Sequence, residues 1–160
     1  MRSDGPLAGL SARFGWPLQR AGWFLGRRVE TARWRAELLG LDMHPAAEAF
    51  LSEFGDLVVD VHGPGRTTAP VPFELNPSLC VGEEGRFLAW GGKIGRSLYP
   101  LGELDQGRFF LGMDDRGVIL LVETWVAAFG PGDQGLIALC EGTMPTQLQA
   151  GGQIDRYSGP

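Results

Sequence analysis

The spacing of apolar residues changes abruptly at Gly55, and we interpret this point as the centre of the fold. From Pro45 to Phe54 the apolar residues recur at helical spacing, which predicts a helix. A proline suits the first helical position, because the N–H that it lacks would have no partner there. Gly55 is predicted to end the helix in a left-handed turn. Apolar residues then dominate Leu57–Val61, which predicts a strand and, with the helix, an α+β domain.

Two shorter helices are predicted before this junction. Pro17 takes the first position of one helix, which runs to Ala21. Thr31 is a candidate N-cap for the other, which spans Ala32–Leu39. Two glycines between the helices enclose a turn that contains Trp23, and we expect this tryptophan to anchor the turn in the core.

Strands are predicted after the central junction. Apolar residues alternate along Val71–Leu75, and we expect this strand at a sheet edge because its prolines cannot donate ladder hydrogen bonds. Leu98–Val122 is predicted as a meander in which Asp114–Gly117 forms a hairpin turn. Within it, Val118–Val122 is apolar throughout, as expected of a central strand covered on both faces.

Two more helices and a tail complete the prediction. Glu83–Ile94 has a helical apolar stripe, and Asp133 caps a last helix that ends at Gly142. The apolar residues 124–129 fit either helix or strand. From residue 143 to 160 the chain is rich in Gly, Gln, Pro and Ser, which predicts a flexible C-terminal tail. A length of 160 residues favours one domain, which we assign to residues 1–142.

The compartment is predicted from what the chain lacks. No apolar run approaches the roughly 18 residues of a membrane span, and the first residues have no apolar signal-peptide core. These features predict a cytoplasmic protein. Cys80 and Cys140 both lie in apolar surroundings and are predicted as buried free thiols, with a disulfide between them as the alternative.

Charge is distributed unevenly along the chain. Residues 1–40 contain seven Arg and three acids, a balance of +4, whereas residues 41–160 contain seven basic residues and sixteen acids, a balance of −9. An acidic body argues against nucleic acid as a direct partner, because phosphate binding requires positive charge. It would suit a basic protein partner. Solubility alone is the other interpretation of the acidity.

The sequence offers no recognisable catalytic or metal-binding constellation. His44 and His62 have no second ligand at metal-binding spacing, and the apolar neighbours of Cys80 disfavour a nucleophilic thiolate. Neither a nucleophile elbow nor a glycine-rich phosphate loop occurs. The adjacent carboxylates Asp114 and Asp115 fit turn chemistry better than catalysis. We therefore predict no enzymatic activity, no metal and no cofactor.

The order and spacing of several short motifs resemble the SUKH superfamily, specifically its third subgroup of bacterial immunity proteins. The match covers roughly residues 10 to 142. The motifs that carry it are Leu18-x-x-Ala21-Gly22-Trp23-x-x-Gly26-Arg27, Gly40, Ala46-Ala47-x-x-Phe50-Leu51-x-x-Phe54-Gly55-x-Leu57, Pro72-Phe73-x-Leu75-x-Pro77, Leu98-Tyr99-Pro100-Leu101-Gly102-Glu103, Leu111-x-Met113-Asp114-x-x-Gly117 and Ala138-Leu139-x-x-Gly142. One departure is Asp56, where the family more usually has glycine.

The resemblance implies a fold and a binding role. The implied fold is α+β, with helices packed on a mixed, mostly antiparallel sheet. The implied function is protection of a bacterium by binding a polymorphic toxin, commonly a nuclease, with no catalytic motif. The partner would be a basic protein toxin, with neither nucleic acid nor a membrane as a direct partner.

Candidate contact residues lie at predicted strand edges and turns of the acidic part, where carboxylates would steer onto a basic nuclease groove. They are Asp60, Glu74, Glu103, Asp114 and Asp115. Two alternatives stay open at this point. One is a regulatory or scaffold domain of the same fold that binds a host protein, and the other is a small hydrolase built on converging carboxylates.

Overall fold

Seven strands form one open sheet in the computed structural model, which describes residues 15–148. The strands are β1 (Val58–Val59), β2 (Phe73–Glu74), β3 (Leu98–Leu104), β4 (Phe109–Asp114), β5 (Val118–Val122), β6 (Val126–Pro131) and β7 (Thr146–Leu148). Within the same residues the helices are α1 (Gly15–Ala21), α2 (Ala32–Glu37), α3 (Pro45–Phe54), α4 (Glu84–Ile94) and α5 (Gly132–Glu141), and a short 3-10 helix spans Pro77–Cys80. The α+β class predicted from the sequence is confirmed.

The sheet is antiparallel throughout, and the prediction of a mixed sheet is wrong. Strand order follows the chain from β1 to β7, and every neighbouring pair is antiparallel. The connection between β2 and β3 contains the 3-10 helix and α4. It returns the chain to the end of the sheet toward which β2 runs, so β3 runs against β2.

Helices cover both faces of the sheet. Along β5, Ile119 and Leu121 face the larger core, to which α3 and α5 contribute. Leu120 and Val122 face a smaller core with Phe87 of α4. This alternation confirms that β5 is an interior strand covered on both sides, because successive side chains of a strand point to opposite faces.

The junction between α3 and β1 has the predicted position but a different turn geometry. Gly55 has φ −58° and ψ 150°, and the left-handed residue is Asp56, with φ 69°. A Cβ on Gly55 would lie 2.6 Å from both the Leu51 carbonyl oxygen and the Trp34 ring. Glycine is therefore required here by close packing. Asp56 donates its N–H to the Leu75 carbonyl oxygen at 2.6 Å, which joins the turn to the sheet.

The strand with two prolines does not lie at an edge. β2 pairs with β1 on one side and β3 on the other. Only Phe73 and Glu74 belong to the ladder, so Pro70 and Pro72 lie before it and remove no ladder donor. Pro72 contributes only its carbonyl oxygen, which accepts the Asp105 N–H at 2.7 Å.

The helices and the C-terminal strand refine the sequence-based boundaries. Trp23 is buried as predicted, and its Nε1 donates to Glu53 at 3.2 Å. Thr31 occupies the N-cap position as predicted, but its side chain makes no cap hydrogen bond and its Oγ1 accepts from Arg35 instead. Strand β7 lies inside the segment predicted as a flexible tail. The remainder of that prediction, residues 149–160, and residues 1–14 lie outside the described residues.

Replacing Tyr99 with phenylalanine tests the larger core. Tyr99 is fully buried, and its hydroxyl has no hydrogen-bond partner among residues 15–148. A buried unpaired hydroxyl weighs against folding, so we expect Tyr99→Phe to leave the free energy of unfolding unchanged or to raise it by up to about 1 kcal/mol. Urea unfolding measures the difference. A loss of stability would show that the hydroxyl has a partner.

Candidate functional site

Three of the predicted contact residues meet in one acidic groove on the first strands of the sheet. Asp60, Glu74 and Glu103 line it, and its volume is about 320 Å³. The strand register explains the arrangement, because Glu74 lies directly opposite both Val58 and Glu103. Asp60 is two residues beyond Val58 and so points to the same face. The remaining lining residues are Val58, Pro72, Phe73 and Gln106.

The groove brings together three carboxylates that have no basic partner among the described residues. Seven acids elsewhere form an ion pair with an arginine. Within residues 15–148, no Lys or Arg lies within ion-pair distance of Asp60, Glu74 or Glu103. Two like charges directly opposite one another across strands are destabilising. The direct opposition of Glu74 and Glu103 therefore carries an electrostatic cost within this groove.

The raised pKa of Glu103 gives a testable pH dependence. Burial first, and then the negative charge of Glu74, raise the pKa of Glu103 above its ordinary value of 4.5. Glu103 therefore binds its proton more tightly in the folded state than in the unfolded state. Protonation of Glu103 stabilises the folded protein, and this stabilisation is lost as the pH rises through the raised pKa.

We expect Glu103→Gln to be more stable than the wild-type protein at neutral pH. The difference should vanish once the pH falls below 4.5, where Glu103 is protonated in both states. Urea unfolding of both proteins across this pH range measures it. A difference that is independent of pH would contradict the raised pKa.

Asp114 is not available to a partner, which corrects its prediction as a contact residue. It is fully buried, and its Oδ2 accepts from Arg96 Nη1 at 2.9 Å. Its Oδ1 accepts the N–H groups of Arg116 and Val118, both at 2.9 Å. The side chain thus closes the turn between β4 and β5. Asp115 is exposed in the same turn. This turn follows the last residue of β4, whereas Glu103 pairs near the first residues of β4, so Asp115 does not join the acidic groove.

His44 and both cysteines are buried in the core, whereas His62 is exposed. His44 is buried, its Nδ1 accepts the Ala47 N–H at 3.2 Å, and its Nε2 lies 3.1 Å from the Met113 carbonyl oxygen. Cys80 and Cys140 are buried free thiols, as predicted. Burial raises the pKa of each to about 12, which disfavours the thiolate. Within residues 15–148, no group of three or more His, Cys, Asp or Glu residues could hold a metal ion.

A larger apolar cavity opens on the face of the sheet opposite to the acidic groove. Its volume is about 900 Å³, and its sheet wall includes the half-buried aromatics Phe109, Trp125 and Phe129. Ala69 lies in the segment before β2 and Thr146 in β7, and both line it as well. Sequence reasoning missed this cavity, because aromatic residues in strands usually indicate core. The only available signal was the ambiguous stretch 124–129, which the structure resolves as the start of β6.

The fold is an α+β domain with two concave surfaces, the acidic groove and the apolar cavity. A model of the SUKH-3 immunity protein family matches residues 16–142, and the chain belongs to this family. The family is not catalytic, and membership implies a cognate toxin as partner.

The other comparisons gave no match. Neither the curated proteins nor the solved structures yielded a match to the chain. The SUKH-like designation of the fold itself therefore stays a prediction. In the part of the chain that the structure describes, no helix is long and apolar enough to cross a membrane.

Proposed function

We propose that this immunity protein neutralises a basic, nuclease-like toxin in the cytoplasm by covering the toxin's substrate-binding surface. Asp60, Glu74 and Glu103 are the proposed contact residues. The observation that supports this choice is the concentration of carboxylates without basic partners in a groove where two of them are directly opposed. Asp114 is left out because it is buried, and Asp115 is not part of this proposal because it lies outside the groove, at the other end of β4.

The electrostatics of the groove suit a basic partner. A Lys or Arg side chain of the toxin that enters the groove would supply the opposite charge that the fold does not provide. Such complementarity accelerates association and discriminates against other partners. A nuclease carries positive charge where it binds phosphates. Occupation of that surface by carboxylates would exclude its nucleic acid without any chemical step.

Co-expression with the product of the neighbouring gene tests this function. We expect that product alone to arrest bacterial growth and to cleave plasmid DNA or cellular RNA. Growth and intact nucleic acid should return when this protein is produced in the same cytoplasm. Continued arrest in the presence of folded protein would refute the proposal for that toxin. Rescue without any effect on nucleic-acid cleavage would refute the nuclease part alone.

A further inference from the structure

We propose that the apolar cavity receives a large apolar side chain of the toxin, from a segment that also carries basic residues. This inference rests on the proposed function and adds the chemistry of the segment that binds. The proposed occupant of the cavity is therefore an aromatic or branched aliphatic side chain of the toxin that is next to a lysine or arginine in the toxin sequence.

The walls of the cavity favour such an anchor. Phe109 and Trp125 meet edge to face, with ring centroids 6.2 Å apart and an interplanar angle of 66°. Both rings are only partly buried by the chain itself. Its volume of about 900 Å³ leaves room for a complete aromatic side chain. Pockets that bury one aromatic or aliphatic anchor supply much of the affinity in protein complexes.

The charge around the cavity determines which residues should accompany the anchor. Among residues 15–148, Asp105 is the single charged residue that lines it, and its partly exposed carboxylate forms an ion pair with Arg108 at 3.5 Å. The neighbouring residues Glu103 and Gln106 line the acidic groove on the other face. Near the turn between β3 and β4, residues that line the cavity and residues that line the acidic groove are thus only one or two positions apart in the sequence. A segment that crosses this turn meets carboxylates on its way from one site to the other.

The two sites would act on different steps of binding. Charges at the rim of an interface mainly change the association rate, whereas burial of apolar area mainly lowers the dissociation rate. The acidic groove would thus orient the toxin, and the cavity would retain it. Variants of the two sites should therefore separate in a kinetic experiment.

Filling the cavity tests the inference. Ala69 is exposed and lines the cavity, so the tryptophan of Ala69→Trp would occupy the space of the anchor. Thr146→Trp fills it from β7, in case the first variant does not fold. Ala89→Trp is the matched control, because Ala89 is exposed on α4 and does not line the cavity. Surface plasmon resonance with the toxin that passes the growth assay measures both rate constants, and thermal unfolding verifies each variant.

We expect either cavity variant to bind the toxin about 10- to 100-fold more weakly, mainly through faster dissociation, because one buried apolar side chain is lost. The control should match the wild-type protein. Wild-type affinity in both folded cavity variants would overturn the inference while the proposed function stands. If the wild-type protein does not bind the toxin, the proposed function fails first and this inference with it.

Two other occupants would give different results. A wild-type dimer that Ala69→Trp dissociates, seen by sedimentation, would assign the cavity to a second copy of the chain. An apolar dye that enters the cavity only after removal of residues 149–160 would assign it to the chain's own C-terminal segment. Either result would overturn the proposal of a toxin anchor.

Discussion

Asp114→Ala is expected to destabilise the protein by about 3–5 kcal/mol, because it leaves a partly buried arginine without its counter-ion. The Arg96 side chain is only 16% exposed, and Asp114 is fully buried beside it. The same change removes the acceptor for two N–H groups of the turn between β4 and β5. Chemical denaturation with urea measures the loss.

Two neighbouring variants separate the contributions. Asp114→Asn retains an oxygen that can accept the Arg116 and Val118 N–H groups but removes the charge, so its loss should be smaller than that of alanine. Asp115→Ala, at the exposed adjacent position, should change stability by less than about 0.5 kcal/mol. Equal effects at positions 114 and 115 would show that the buried ion pair does not hold the turn.

Reversal of two groove charges is expected to have the largest effect on toxin binding. Glu74→Lys combined with Glu103→Lys changes the charge of the groove from −3 to +1, counting Asp60. Association with a basic toxin should slow by about 10- to 100-fold at low salt. Added salt should weaken toxin binding by the wild-type protein and strengthen or leave unchanged the residual binding by the variant. Stopped-flow association at several salt concentrations measures both effects.

A matched control has the same total charge. Glu30→Lys combined with Asp42→Lys also reverses two acids, but both positions are exposed and outside the groove. We expect this control to reduce the association rate much less than the groove variant. An equal reduction would show that net charge guides the toxin and that the groove has no special role. Folding of the groove variant should be preserved, since it replaces one like-charged pair with another.

Local sequence patterns predicted helices and turns well where the periodic spacing of apolar residues extended over many positions. The helices Pro45–Phe54 and Glu84–Ile94 and the turn at Asp114–Gly117 lie where the sequence placed them, within one residue. The prediction that β2 lies at an edge of the sheet was wrong. Only two of its residues pair with neighbouring strands, and no local sequence pattern sets how many residues of a strand pair. Stretch 124–129 stayed ambiguous since short apolar runs fit helix and strand equally.

The candidate site was only partly predictable for a different reason. Asp60, Glu74 and Glu103 were chosen singly from their places near strand edges and turns. Their convergence depends on the register of three strands, and Glu74 and Glu103 are joined by a long connection through α4. Asp114 is predicted as an exposed residue of the turn for the same reason. Its burial depends on an ion pair with Arg96, which is distant in the sequence but adjacent in the fold.

The most direct test of the account is a titration of toxin activity with this protein. Binding without chemistry predicts that activity falls linearly and reaches its minimum at about one molecule of protein per toxin domain. Activity should return when the complex is dissociated, and the mass of the toxin should be unchanged. Inactivation by far less than an equimolar amount, or a lasting change in toxin mass, would contradict the account.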